Sequence, residues 1–240
     1  MDASTNHPID ETLFSFDDFS MTRGDFHTLR SGEIFSTFID VWALRLTLLN
    51  TKRALGKPKC IYFSTLVHLQ LDPTEQWMKN LPLQKRKENF NERLQYEISK
   101  FGNLDVNDAD LIFFPVLRHE HYFIVYINTI SKSVEIIENK MLPKDVTEAD
   151  KYEDCPSLLM TALKEYLTAE KSPLLRKIQK LPVSYLAIPW KELDNVIDCG
   201  IYVMRHMESY KGNVQDWDSG FKIGTCVNAD FLWELRVKYA

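Results

Sequence analysis

Three consecutive segments rich in Ile, Val, Phe and Tyr constrain the fold of this 240-residue chain more than any other feature. They span residues 110–117, 121–130 and 133–138, and this composition is typical of β-strands. The stretch YFIVYI in the second segment is apolar on both faces, so we expect it to be a central strand. Segments with helical spacing precede and follow these strands. The pattern predicts one α+β domain in which helices flank a central sheet.

The bulk composition narrows the possible classes of function. The net charge is −5 and only 8 glycines occur, which argues against nucleic acid as the main partner and against a glycine-rich phosphate site. The apolar runs are too short to cross a membrane. The four cysteines form no CxxC pair, and the first thirty residues lack a signal-peptide core. We therefore predict an intracellular protein, in the nucleus or cytoplasm, with reduced thiols, an N-terminal arm at residues 1–25 and one domain at residues 26–240.

The stretch NVIDCGIYVMRHMESY predicts an amphipathic helix that begins near Cys199, with His206 on its solvated face. Asp198 occupies the N-cap position, where its carboxylate would accept hydrogen bonds from the amides of the first turn. Cys199 would then lie at the positive end of the helix dipole, which favours a thiolate over a thiol. Gly200 leaves room for close approach, and the amides around it would point outward as anion donors. This arrangement suits a cysteine nucleophile; the alternative is that Cys199 is a small buried residue.

A predicted hairpin brings His121 and Glu138 together. If the turn lies at residues 129–130, the two residues oppose each other directly, with Cβ atoms roughly 4.5–5.5 Å apart. The carboxylate would then orient the imidazole as a general base and stabilise its charged form. A slip of one residue would put Asn139 in place of the acid. Two other interpretations remain: a structural pair at the strand end, and a metal pair of His119 with His121, for which no third ligand lies nearby in sequence.

Taken together, these motifs resemble the ubiquitin-like-protease family of cysteine peptidases, which includes the SUMO-specific proteases and, more distantly, the adenovirus endopeptidase. The resemblance extends from about residue 32 to the C-terminus, and the segments CGIYVMRHMESY and IDVWALRLTLLN are similar to the plant branch. The motifs that carry it are His121-Tyr122 at the start of an apolar strand, the acid Glu138, and Asp198-Cys199-Gly200 preceded by Asn195.

The resemblance implies a papain-like cysteine protease fold of this type, with a mixed or antiparallel sheet and with residues 26–240 as the catalytic domain. It implies cleavage of peptide or isopeptide bonds after the C-terminal Gly-Gly of a ubiquitin-like modifier, with SUMO as the first expectation. We expect a monomer with no cofactor and no metal. The implied roles are Cys199 as nucleophile, His121 as general base and then acid, Glu138 as orienting acid, Cys199, Gly200 and Asn195 at the oxyanion, and Tyr122 and Trp190 in substrate binding.

Three residues depart from the pattern of this family. The usual acid is Asp, whereas this chain has Glu138, as the adenovirus branch does. The Trp that commonly follows the histidine is Tyr122, and residues 33–35 contain no Trp. Leu193 occupies the position of the glutamine that lies about six residues before the cysteine and supplies an oxyanion donor. Loss of one such donor typically costs ~10²–10³ in rate.

Other functions are open at this point. A catalytically weak relative that only binds a modifier or another partner would explain Leu193. An acyltransferase would use a similar His-Glu-Cys arrangement, as some bacterial effectors of related fold do, although nothing here indicates an acyl-coenzyme site. An unrelated α+β protein is the remaining alternative. Cys60, Cys155 and Cys226 lack the Asp-Cys-Gly helix start, so we expect them to be structural.

Overall fold

The computed structural model describes residues 7–16, 18–52, 56–100, 102, 105–193, 195, 197–224 and 228–240. No helix among these residues is both long and apolar enough to cross a membrane. The strands are β1 (Thr12–Phe16), β2 (Phe19–Thr22), β3 (Cys60–Tyr62), β4 (Leu111–Arg118), β5 (His121–Asn128), β6 (Ser133–Ile137) and β7 (Val183–Tyr185). The helices are α1 (Arg23–Ser31), α2 (Ser36–Asn50), α3 (Thr65–Leu69), α4 (Leu83–Lys100), α5 (Glu148–Tyr152), α6 (Cys155–Ala169), α7 (Leu174–Ile178), α8 (Cys199–Ser209) and α9 (Ala229–Tyr239).

A five-stranded mixed sheet in the order β3-β4-β5-β6-β7 forms the centre of the molecule. Strands β4, β5 and β6 form an antiparallel meander, while the outer strands β3 and β7 run parallel to their neighbours. Every residue of β5 after its first is buried, because helices cover both faces of the sheet. The predicted α+β class, with a central mixed sheet between helices, is confirmed.

Successive residues of β4 and β5 point to opposite faces and enter two separate apolar cores. Leu111 and Ile124 belong to the core beneath α2, α8 and α9, whereas Ile112 and Val125 belong to the core beneath α3, α4, α6 and α7. Helix α8 lies in the first core and contacts β5, so the predicted cysteine helix is packed on the central strand.

The N-terminal residues that the structure describes form a hairpin. Strands β1 and β2 pair antiparallel, and Phe19 and Met21 of β2 are buried. Thr22 then caps α1 in a capping box with Asp25, in which each side chain accepts from the backbone amide of the other. The division of the chain at residue 25 stays a prediction, and residues 1–6 lie outside the described residues.

The dipeptide Asp72-Pro73 is a typical helix-start signal and predicts a helix there, but this prediction is wrong. Asp72 caps a turn instead, because its Oδ1 accepts from the Thr74 amide at 2.8 Å, and α4 begins only at Leu83, directly after Pro82. The Asp72 carboxylate thus accepts a hydrogen bond from an amide of this turn, as it would from an amide at a helix N-terminus.

The prediction that His206 lies on a solvated face of α8 is also wrong. His206 is fully buried, and its Nε2 accepts from the Trp190 indole at 3.2 Å. Tyr202 on the same side is buried as well and stacks on Phe221 at 4.4 Å. Sheet, α2 and α9 all contact α8, and aromatic side chains of the following loop cover the remaining side. Burial lowers the pKa of His206 to about 3, so its ring is a neutral acceptor.

A buried ion pair fixes the start of α8. Arg236 of α9 donates from Nε and Nη2 to Asp198 Oδ1, at 2.9 and 2.6 Å. Its guanidinium also donates to the backbone oxygens of Leu29, at 2.7 Å, and Ile197, at 3.4 Å. Asn195 completes the cluster by donating to Asp198 Oδ2 at 2.9 Å. One side chain near the C-terminus thus connects α1, α9 and the residues just before Cys199.

We predict that Arg236→Met lowers the free energy of unfolding by about 3–5 kcal/mol, because Asp198 would remain buried without its cation. Urea denaturation measures this loss. Lys238→Met is the matched control on the same helix; it removes a partly exposed pair with Glu208 and two long cation–π contacts with Trp42 and Tyr239, so its cost should stay below about 1 kcal/mol. Equal losses in the two variants would contradict the role assigned to Arg236.

Candidate active site

Cys199 is the first residue of α8 and is 5% exposed. The predicted capping by Asp198 is wrong, since its side chain makes no cap hydrogen bond and is held by Arg236 instead. The backbone amide of Tyr202 donates to the backbone carbonyl oxygen of Asp198 at 3.0 Å, which is the first i to i−4 hydrogen bond of the helix. The amides before it come too early for an intrahelical partner and are not satisfied by the Asp198 side chain. The start of α8 is therefore suited to hold an anion.

Gly200 is required by the chain's own packing. A Cβ at this position would lie 2.7 Å from the Cβ of Ile34, far closer than two carbons approach in a folded protein. The segment between α1 and α2 therefore crosses directly over the first turn of α8. Phe35, the next residue of that segment, is 49% exposed and is available to a substrate.

His121 and Glu138 meet as predicted, but in a different register. The Nε2 of His121 is in hydrogen-bond contact with Oε1 of Glu138. Strands β5 and β6 pair Ile124 with Ile137, two residues away from the register that opposes His121 to Glu138. A shift of two keeps both residues on one face, because side chains alternate with a period of two. Asn139 makes no side-chain hydrogen bond within the part of the chain described.

The imidazole of His121 also interacts with the Cys199 thiol, so the ring lies between the thiol and the carboxylate. Burial opposes the charged ring, but the contacts with Cys199 and Glu138 outweigh it and raise the pKa of His121 above its ordinary value. Burial likewise opposes the Glu138 anion, yet His121 and Lys151 lower the pKa of Glu138 to about 2. The arrangement favours an imidazolium beside an ionised acid.

Sequence reasoning missed two residues that hold Glu138. Tyr152 donates from Oη to Oε2 at 2.5 Å, and the Lys151 ammonium is in ion-pair contact with the same oxygen. Both belong to α5, whose start is marked in the sequence by the capping box of Thr147 and Asp150. That motif shows where a helix begins but not what it packs against.

The residues predicted to bind substrate lie largely inside the molecule. Tyr122 is 7% exposed and interacts electrostatically with Cys199 and Ser36. Trp190 is 6% exposed and packs edge-on against Trp217 at 4.8 Å. Their contact with a substrate stays a prediction.

Asn195, the candidate oxyanion donor, and Leu193, which occupies the position of the usual glutamine donor, have different environments. Asn195 is bonded in both directions to Asp198: its amide donates at 2.9 Å and its Oδ1 accepts from the Asp198 amide at 3.0 Å. Leu193 is 54% exposed and brings an apolar side chain to the surface. Residues 194 and 196, on either side of Asn195, lie outside the described residues.

A second Cys–His pair occurs in the other core. The Sγ of Cys155 lies 3.0 Å from Nε2 of His68, and both residues are fully buried. Burial raises the pKa of Cys155 to about 12 and lowers that of His68 to about 4, so thiol and ring are both neutral. Cys60 is buried as well, and Cys226, predicted to be structural, lies outside the described residues. His119 faces Glu153 at 3.6 Å rather than His121.

The sequence profile of the Ulp1 protease family, C-terminal catalytic domain, matches residues 36–238. The chain belongs to this family. It is therefore a cysteine peptidase, and the match covers His121, Glu138 and Cys199 together. Among curated protein sequences none matches the chain.

Solved structures show the same fold at low identity. The X-ray structure of the C-terminal Ulp1 protease domain in complex with Smt3, the yeast ortholog of SUMO, is 17% identical, with 82% of this chain and 74% of that chain covered at a TM-score of 0.55. The SUMO protease Ulp1 with its catalytic cysteine oxidised to a sulfenic acid is 16% identical, with coverages of 95% and 85% and a TM-score of 0.60. A de-sumoylating protease is 14% identical, with coverages of 96% and 86% and a TM-score of 0.58. The predicted fold of this Ulp1-family domain is confirmed.

We predict that Cys199 reacts fastest with iodoacetamide near neutral pH, because it combines a helix N-terminus with contact to His121. Cys60 and Cys155 are closed off in the folded protein. Competitive alkylation followed by peptide mapping measures all four thiols. His121→Gln should slow Cys199 alone, and equal labelling of every cysteine in the folded wild type would contradict a nucleophile at position 199.

Glu138→Gln should lower turnover by about 10²-fold, since a neutral amide no longer stabilises the imidazolium. Asn139→Ala is the neighbouring control and should be mild, as its side chain does not contact His121. The acid response provides a further check. The depressed pKa of Glu138 gives stability that is fully present above about pH 4.5 and is lost as the pH falls towards 2, so this slope should weaken in Glu138→Gln. A larger loss of turnover in Asn139→Ala than in Glu138→Gln would contradict the assignment of Glu138 as the orienting acid.

Proposed function

We propose that this protein is a thiol protease that cleaves peptide or isopeptide bonds after the C-terminal Gly-Gly of a ubiquitin-like modifier, with SUMO as the first candidate. The observation that carries the proposal is the position of His121, which interacts with Cys199 at the start of a buried helix and contacts Glu138. Support for the substrate comes from a related domain described in complex with Smt3. A working thiol needs a reducing compartment, so the proposal places the enzyme in the nucleus or cytoplasm.

The geometry supports acyl transfer through a thioester. The Cys199 thiolate would attack the carbonyl carbon of the terminal glycine, and the negative charge would move to the carbonyl oxygen. Collapse of this intermediate breaks the C–N bond while the His121 imidazolium gives its proton to the leaving amine. A water molecule then attacks the thioester, with His121 taking its proton, and the thiolate leaves. Glu138 keeps the ring oriented and its charged form favoured through both steps.

Backbone amides are the best-supported oxyanion donors. Those of Cys199 and Gly200 lie at the positive end of α8, and the Asp198 side chain does not occupy them. Asn195 uses one side-chain N–H for Asp198, which leaves the second N–H for the oxyanion. Leu193 has no hydrogen-bond donor in its side chain, so the proposal needs these other groups to hold the charge.

Apolar residues flank the nucleophile on both sides. Phe35 follows the segment that crosses Gly200, while Leu193 and Ile197 precede the helix, and all three are exposed. They would cover an extended, side-chain-poor peptide such as a Gly-Gly tail, with Tyr122 and Trp190 forming the wall behind it. The narrowness of a site in which Ile34 already contacts Gly200 favours glycine over larger residues.

Modifier-derived probes with a C-terminal electrophile test the proposal directly. SUMO, ubiquitin and other ubiquitin-like probes are incubated with wild type and with Cys199→Ala, and the labelled residue is mapped. The expected result is labelling of Cys199 by the SUMO probe and none in the variant. Absence of labelling by every probe would overturn the protease function. Retained binding of unmodified SUMO would then favour the second candidate, a modifier-binding module, which Leu193 motivates.

The leucine at the oxyanion position generates a sharper prediction. Leu193→Gln should raise kcat on a SUMO substrate by up to ~10²-fold with little change in KM, because an oxyanion donor acts mainly in the transition state. If the free side-chain N–H of Asn195 already binds the oxyanion, Asn195→Ala should instead lower kcat. Steady-state kinetics of both variants beside wild type separate these cases. If both variants match wild type, the backbone amides alone hold the charge.

A further inference from the structure

The carboxylate of Glu138 is shared between two cations. Its side chain is fully buried, with Oε1 on the His121 ring and Oε2 contacting both the Tyr152 hydroxyl and the Lys151 ammonium. We propose that Lys151 is a positioning residue that shares the charge of Glu138 and so limits how tightly His121 holds its proton. The catalytic consequence rests on the proposed function, whereas the electrostatic effect on His121 does not.

The fold holds Lys151 in place. It lies on α5, which is started by the capping box of Thr147 and Asp150. The next residue, Tyr152, is buried, stacks on Tyr185 at 5.4 Å and meets Phe123 edge-on at 5.0 Å. The Lys151 side chain itself is only 19% exposed. A cation covered to this degree beside a buried anion is screened far less than a surface pair.

Several charged groups surround this pair. Lys151 and His121 both line a cavity of about 240 Å³, together with Arg118, His119 and Lys140. Arg118 is in ion-pair contact with Glu153, which also faces His119, whereas no ion pair of Lys140 occurs within the described residues. Burial lowers the pKa of Lys151, and Lys140 and Lys191 lower it further, while Glu138 opposes this decrease. Glu138 is thus the group that stabilises the charged form of Lys151 in this position.

The charges of the ionised site balance only when Lys151 is included. A Cys199 thiolate, a His121 imidazolium and the Glu138 carboxylate sum to −1, and the ammonium brings the total to zero. Lys151 repels the imidazolium and attracts the same carboxylate, so its removal should raise the pKa of His121. An imidazolium held more firmly is a weaker acid towards the leaving amine. Lys151 therefore weakens the ion pair of His121 with Glu138 and makes proton donation by His121 easier.

The direct test is an NMR titration of the His121 ring. It is done in a Cys199→Ala background, with the resonance assigned by its loss in His121→Gln. Lys151→Met and Lys151→Gln should raise the titration midpoint by about 0.5–1 pH unit, less than the 1–3 units typical of a close charge because water reaches the ammonium. Lys151→Arg should keep the wild-type midpoint. Lys140→Met, in the same cavity but without contact to Glu138, is the matched control and should shift it by less than half as much.

Kinetics with the intact nucleophile provide the second readout. In Lys151→Met the alkaline limb of kcat/KM on a modifier substrate should move upward by the same interval. Turnover of an isopeptide should fall about 3–10-fold, while turnover of an activated ester, whose leaving group needs no proton, should change little. A purely structural role would lower both turnovers together and leave the limb in place.

The outcomes separate this proposal from the proposed function. An unchanged or lowered His121 midpoint in folded Lys151→Met and Lys151→Gln, or an equal rise in Lys140→Met, would overturn the role of Lys151. A raised midpoint with no cleavage of any modifier would support Lys151 and overturn the protease function. Cleavage of a modifier substrate by wild type, together with an unchanged His121 midpoint in the Lys151 variants, would support the protease function and overturn the role of Lys151.

Discussion

The buried pair of Asp198 and Arg236 is the interaction on which the geometry of the proposed active site depends. It holds the residue before Cys199 by two hydrogen bonds, and the same guanidinium reaches Leu29 and Ile197. Because the carboxylate is committed to Arg236, it does not cap α8, and the first-turn amides are left for an anion. A conventional N-cap would have satisfied the helix at the expense of this anion site. The ion pair therefore does two things: it fixes Cys199 in space and keeps its surroundings electropositive.

Glu138, the buried carboxylate beside His121, is used in a related way. Each of the two acids lies next to a reacting residue, and each is held by a cation from a helix that is remote in sequence or separated by a loop. Glu138 differs because its second partner, Lys151, competes with the catalytic ring for the same charge. Its side chain leaves the sheet after β6, so one oxygen faces His121 of β5 and the other faces Tyr152 and Lys151 of α5.

The sequence predicted those parts of the fold and site that depend on local pattern. The apolar strand at residues 121–128 and the helix opening at Cys199 follow from periodicity and from the Asp-Cys-Gly start. The hairpin of His121 and Glu138 was right in its partners and two residues off in register, since a period of two preserves the face. The errors at Asp198 and His206 have one cause. Their partners, Arg236 and Trp190, are 38 and 16 residues away, and no local pattern indicates a contact over that distance.

The two Cys–His pairs of this chain show what turns such a pair into a catalytic one. Cys155 and His68 lie as close as a hydrogen bond, and burial makes both neutral; the Nδ1 of His68 contacts no acceptor among the described residues. His121 is also largely buried, but Glu138 contacts its ring, and the interactions with Cys199 and Glu138 together outweigh the cost of charging it. Proximity of thiol and imidazole is therefore not sufficient. A buried acid on the far side of the ring makes the difference, and the strength of that acid depends in turn on what else binds it.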